Sequence, residues 1–140
     1  MDCFWDTSAV VPLILREVHS RRAVTIYDQV VNFFAWDWMQ LETEAALSRR
    51  QAHRKEWETW ERVRALFQWV HIPRTEWLEI QNYNREWRLR AADAAHMYAF
   101  TRLNSIRPSL HLITFDADQL VLAQRKRWPF LSSAQKATPT

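Results

Sequence analysis

At 140 residues, with 48% hydrophobic residues, the chain is long enough for one domain that buries about two thirds of its unfolded surface. The formal charge of +3 and pI near 9.4 permit a polyanionic partner without demanding one, and no apolar run approaches the roughly 20 residues that cross a bilayer. The chain has nine Trp and no Gly, and without Gly neither a P-loop nor a G-x-G-x-x-G dinucleotide turn is possible.

The N-terminus carries acids rather than a basic leader, and the single cysteine, Cys3, has no internal partner. A soluble, unexported, cytoplasmic protein is the expectation, with Cys3 in a buried strand of a reducing compartment.

In chain order, Asp2 to Asp6 reads as a short buried strand. Ser8 to about Arg16 follows as a helix capped by the Thr7 or Ser8 hydroxyl, with Pro12 near its first turn. Ala23, Ile26, Tyr27, Val30 and Val31 set a second helix within His19 to Val31, and Phe33 to Trp36 is a second strand. Trp38 to Arg50 is helical. Trp57, Trp60, Val63, Phe67 and Val70 fall on one face of a further helix, and Val70 to Ile72 is a weak strand candidate.

Thr75 and Glu76 open a helix toward Trp87 by capping logic, and Leu89 to Leu103 forms another with a narrow alanine face. Leu110 to Phe115 is the clearest strand after the first. A last helix runs from Asp116 to about Arg127. Residues 1–131 make one domain and 132–140 a small, polar, frayed tail. Strands alternating with helices imply an α/β fold of three α/β/α layers around a mostly parallel sheet of four to five strands.

Acids recur at similar places in these elements: Asp6 after the first strand, Glu42 one turn into a helix, Asp93 early in a helix, Asp116 after the last clear strand. In open parallel sheets the carboxyl ends of strands are where ligands bind. Clustered carboxylates repel, and a hard cation such as Mg²⁺ or Mn²⁺, which takes oxygen ligands, resolves that conflict.

Taken singly, each acid has a plainer role. Asp6 and Asp116 suit helix N-termini, as does Asp118, and Asp93 suits an i,i+3 pair with Arg90. Glu42 shares a side with Met39, Ala45 and Ala46, whereas Glu44 faces water beside Ser48. The five His show no close ligand pairing, so a zinc or Cys/His enzyme is disfavoured, and His96 reads as a packing or hydrogen-bonding residue.

Four segments together resemble the PIN-domain ribonucleases, and within them the VapC-like toxins of type II toxin–antitoxin pairs. They are Phe4-Trp5-Asp6-Thr7-Ser8-Ala9-Val10-Val11, Leu41 to Arg50, Leu89 to His96, and Ile113 to Leu120. The resemblance implies metal-site acids Asp6, Glu42, Asp93 and Asp116, with Asp118 an auxiliary and Thr7 or Thr114 a hydroxyl that positions ligands or substrate. It implies metal-assisted phosphodiester hydrolysis of RNA, a homodimer, and a short antitoxin laid across the helices, with the first two helices and the Trp57/Trp60 region as candidate docking surfaces.

Two basic clusters flank these acids in sequence: Arg49, Arg50, Arg54 and Lys55 after Glu42, and Arg85, Arg88 and Arg90 before Asp93. They grip phosphates or simply form solvated helix faces. Unpaired RNA is favoured over duplex, because its bases are free to stack on Trp or Arg. Lys55 to Arg88 matches the family least. A stand-alone nuclease in RNA processing, a binding module without catalysis, and a different acid-dependent metal enzyme are the competing functions. Small size and the resemblance favour the toxin.

Overall fold

The computed structural model describes residues 1–132. Five strands, β1 (Asp2–Trp5), β2 (Asn32–Trp36), β3 (Phe67–Val70), β4 (His111–Ile113) and β5 (Phe130–Leu131), form one wholly parallel sheet in the order β3-β2-β1-β4-β5. Seven helices cover it among the described residues: α1 (Thr7–Ile14), α2 (Ser20–Tyr27), α3 (Trp38–Arg49), α4 (Arg54–Arg64), α5 (Trp77–Trp87), α6 (Ala91–Ile106) and α7 (Ala117–Lys126). The α/β/α expectation holds.

Alternation along β1 divides the core. Cys3 and Trp5 face a cluster with Val10, Ile14, Phe33, Met39, Leu47 and Trp60, drawn from α1, α3, α4 and β2. Phe4 faces the other, with Phe34, Met97, Tyr98, Phe100, Leu112 and Leu122. Both faces of a parallel sheet must be covered, which explains why its central strand has no polar residue between Cys3 and Trp5. Cys3 is fully buried, and burial pushes its thiol up to about 12, so it is inert as a nucleophile.

The chain winds outward from β1 through β2 to β3, then returns to the opposite side of β1 for β4 and β5. The order therefore reverses between β1 and β4. That gap, at the strands' carboxyl ends, is the switch point where doubly wound sheets take ligands.

Several elements differ from the sequence reading. Phe67 and Val70 belong to β3 rather than to the helix face, because Phe67 and Trp69 alternate and pair with Phe33 and Ala35 of β2. The spacing from Trp57 to Val70 happens to satisfy a helical period across the helix–strand junction. The strand expected at Val70 to Ile72 in fact begins three residues earlier, at Phe67, and Ile72 is buried in the core outside any strand. Thr75 caps nothing: Arg74–Glu76 is a short 3-10 turn, and Glu76 instead accepts from the Tyr98 hydroxyl at 2.8 Å and pairs with Arg102 at 3.0 Å.

β5 is an element the sequence did not disclose, since two residues after Pro129 carry no periodicity. Ser132, placed in the expected tail, is buried, and its carbonyl accepts from Arg22 Nε at 3.0 Å. The rest of that tail, residues 133–140, lies outside the described residues. Trp60 is fully buried and so belongs to the core, not to a docking surface.

The missing glycines leave a mark at helix ends. Arg88 and Arg127 close α5 and α7 in the left-handed region at φ 57° and 55°, and Gln51 adopts φ 51° just after α3. A side chain with a Cβ pays roughly 1–2 kcal/mol for that conformation. Arg127→Gly is therefore expected to stabilise the fold by about 1 kcal/mol, read as a higher midpoint in urea unfolding with an unchanged slope. A lower midpoint would show that the Arg127 side chain contributes more than its backbone strain costs.

Candidate active site

The four acids are delivered by the ends of elements that the sheet fixes. The Asp6 backbone N–H donates to the Ile113 carbonyl at 2.9 Å, tying the end of β1 to β4 at the switch point. Asp6 is also the N-cap of α1: its Oδ2 accepts from the Ser8 N–H at 3.1 Å and from the Ser8 hydroxyl. The expected Thr7 or Ser8 cap is thus replaced by the carboxylate, which satisfies the same orphan donor and suits the positive end of the helix.

Thr7 and Ser8 are freed for other bonds. Thr7 Oγ1 donates to Glu42 Oε1 at 3.3 Å, and Ser8 Oγ lies 3.2 Å from Thr114 Oγ1 while accepting from Phe115 N at 3.0 Å. Thr114, fully buried, donates to Asp6 Oδ2 at 3.3 Å and accepts from Asp116 N at 3.1 Å. This is why β4 stops at Ile113, short of the expected Phe115. The Thr114 N–H still donates to the Leu131 carbonyl at 3.3 Å, while its hydroxyl knits Asp6 to Asp116.

Asp116 caps α7 through Gln119 N at 2.9 Å. The Gln119 side chain then does something the sequence did not announce. Its Nε2 donates both to Asp6 Oδ1 at 3.1 Å and to Asp93 Oδ1 at 3.0 Å, so carboxylates distant in the chain converge on one atom. Its Oε1 is buried with no hydrogen-bond partner among the described residues.

Glu42, in the second turn of α3, reaches the same place through His96. The fully buried His96 lies with Nε2 2.6 Å from Glu42 Oε1 and 3.7 Å from Asp6 Oδ1. Arg90, at the N-cap position of α6, bridges Asp93 at 3.5 Å and Asp116 at 3.8 Å. Asp6, Glu42, Asp93 and Asp116 are therefore brought into one network. Asp118 is exposed on α7 and takes no part in it.

The electrostatics are those of a site short of positive charge. Asp93 is held above the ordinary carboxylate range, by burial first, with Asp116 and Asp6 adding to the rise against the Gln119 hydrogen bond and Arg90. Burial alone would lower His96, but Asp6, the Glu42 hydrogen bond and charge, and Asp93 outweigh it and raise its pKa. The surrounding carboxylates thus offset the burial of His96, whose Nδ1 has no hydrogen-bond partner among the described residues.

Residues 3–125 match the PIN domain. The chain belongs to the PIN-domain family. All four acids fall inside the matched span. None of the curated proteins and none of the solved structures compared matches the chain. PIN domains are generally metal-dependent nucleases, and nuclease is the activity class that membership supports.

Among the described residues of this PIN domain, no three His, Cys, Asp or Glu side chains stand as a ready-made metal cage. The donor set nonetheless fits a hard divalent ion: it is all carboxylate oxygen, and two of those oxygens already aim at a single point. That point is filled by the Gln119 amide, and turning the amide over would present its orphaned Oε1 to a cation instead of Nε2 to the acids.

The arginines sort unequally. Arg50 is tied to Glu17 at 2.8 Å and Arg54 to Glu58 at 3.1 Å, whereas Arg90 sits among the acids themselves. Arg49, Arg85 and Arg88 are exposed and make no ion pair among the described residues. The residues sequence reasoning underrated are Gln119, His96 and Ser8. Their only signals are spacing: Asp116-x-x-Gln119 is the reach of a helix-capping pair, and His96 follows Asp93 by three. No helix among the described residues is long and apolar enough to cross a membrane.

Proposed function

We propose that this PIN domain is a Mg²⁺- or Mn²⁺-dependent endoribonuclease and serves as the toxin of a toxin–antitoxin pair. The observation that carries the nuclease reading is the convergence of Asp6 and Asp93 on one point at the switch between β1 and β4. The resemblance of four motifs to VapC-like toxins supports the toxin role.

In this reading Asp6, Asp93 and Asp116, with Glu42, hold the metal. A divalent ion bound there supplies an activated water and neutralises charge building on the phosphodiester. The chain's own residues do the positioning. Thr7 and His96 fix the Glu42 carboxylate from two sides, and His96 Nε2 with Glu42 Oε1 can hold a proton between them. Thr114 and Ser8 orient Asp6 by its second oxygen, leaving Oδ1 turned toward Asp93. Arg49, Arg85 and Arg88, exposed and without acid partners among the described residues, are available to phosphates along a bound strand.

Purified protein is expected to cut mixed RNA when Mg²⁺ or Mn²⁺ is added and to leave it intact in chelator. Binding without cutting under every metal would favour a nucleic-acid-binding module instead. Induction of the chain alone in a bacterial host is expected to arrest growth, relieved by a co-expressed cognate antitoxin; cutting without arrest would favour a stand-alone processing nuclease. The implied homodimer predicts a solution mass near twice 16.9 kDa.

A further inference from the structure

Beside the acids lies a second concavity of about 680 Å³, within the range of small-ligand sites, that the acid network does not use. It is lined mostly by indole and aliphatic groups, among them Trp36, Trp38, Trp77 and Ile80, with the paired Asp37 and His71 also on its wall. Large aromatic surface is normally hidden, yet Trp38 is 48% exposed and Trp77 57%.

The cleft is continuous with the site. Trp36 stacks on Trp38, centroids 5.9 Å apart and planes 23° apart, and meets the edge of His96 at 5.2 Å, the same His96 that bonds Glu42. On the facing wall, Ala92 and Ala94 flank Asp93 along α6. Arg88, just ahead of α6, is exposed and has no acid partner among the described residues. Exposed indoles beside a carboxylate site, with α6 carrying both the alanines of the cleft and Asp93, match a strand whose bases stack while its backbone runs past the acids.

We propose that this cleft takes unpaired nucleobases of a single strand, stacked on Trp38 and Trp77, next to the phosphate to be cut. The identity of that phosphate rests on the nuclease reading; the stacking does not. A base pair within a duplex keeps its faces covered, so the cleft selects single strands or loops.

The test is made in chelator, where nothing is cut. Anisotropy of a short labelled oligoribonucleotide, single-stranded and as a duplex, is compared across variants. Trp38→Ala and Trp77→Ala are each expected to weaken single-strand binding about tenfold and to leave duplex binding unchanged, while Trp38→Phe restores most of the loss. The salt dependence is expected to stay as in the wild type for the Trp variants and to become shallower for Arg88→Ala, which removes a phosphate contact. Both indoles are about half exposed, and thermal melts check that each variant folds.

Unchanged single-strand affinity, or equal loss on both substrates, overturns the proposal. So does unchanged affinity with a fall in solution mass, which would give the cleft to a protein contact. Cutting by the wild type together with Trp-independent binding would sink this proposal and leave the nuclease reading standing; Trp-dependent binding with no cutting in any metal would do the reverse.

Discussion

Asp93→Asn is expected to lower metal-dependent RNA cleavage by at least about 100-fold, since groups merely touching a metal ligand already cost 10–100-fold when lost. The same substitution is expected to leave the metal-free fold as stable as wild type or more so. Asp93 sits where burial, Asp116 and Asp6 all disfavour its charge, and the neutral amide escapes that cost. Asn also keeps an oxygen to accept from Gln119, so the 3.0 Å bond has a replacement.

The wild type is expected to gain melting temperature on adding Mg²⁺ or Mn²⁺, by roughly 2.7 kcal/mol of stabilisation at a metal concentration 100 times the dissociation constant, and the variant to gain less. Loss of cleavage together with loss of fold would contradict this account, because it would make Asp93 a structural residue. Equal cleavage by wild type, Asp93→Asn and Asp6→Asn would remove both acids from the chemistry.

Trp60→Ala is expected to cost about 3–5 kcal/mol of folding stability, the largest loss of any substitution considered. Trp60 is fully buried between α4 and the cluster of Trp5, Met39 and Leu47, and its Nε1 donates to Glu44 Oε2 at 3.2 Å. Truncation removes the indole's packing and leaves a cavity that neighbours on a rigid sheet cannot fill. A stability of 5–15 kcal/mol is ordinary for a domain, so the change would consume a large part of it. Chemical unfolding measures it directly. Trp60→Phe is expected to cost less, keeping a ring while giving up the bond to Glu44, and an alanine variant losing under about 1 kcal/mol would mean the helix repacks.

Trp60 and the indoles of the cleft are two kinds of tryptophan. Trp5 and Trp60 are core, whereas Trp38 and Trp77 stand in the open beside the acids. Composition counts all nine alike. Only burial separates the ones that hold the sheet from the ones available to a ligand.

Much of the arrangement could be read from residue order. Asp2 to Trp5 and Phe33 to Trp36 announce buried strands because apolar runs of that length, bounded by polar residues, have no other stable use. The four acids stand out because each sits at the start of, or early in, a helix, and Asp6 and Asp116 follow strands. Local pattern also fixed the layers, since alternating strands and helices leave few ways to cover both faces of a sheet.

What local pattern could not supply was partnership across the fold. The residues of β3 fit a helical face because one apolar spacing satisfies two periods at a junction, and pairing with β2 decides between them. The helix face of Glu42 points it inward, but nothing in α3 discloses that His96 on α6 will lie 2.6 Å away. Gln119 is the clearest case: its amide joins Asp6 and Asp93, three positions from three separate elements. The sequence by itself determined which residues carry charge, which must be buried and what chemistry they are fit for. Tertiary structure decided which of them meet, because hydrogen bonds and carboxylate repulsion act over a few ångströms of space, and distance along the chain says nothing about that.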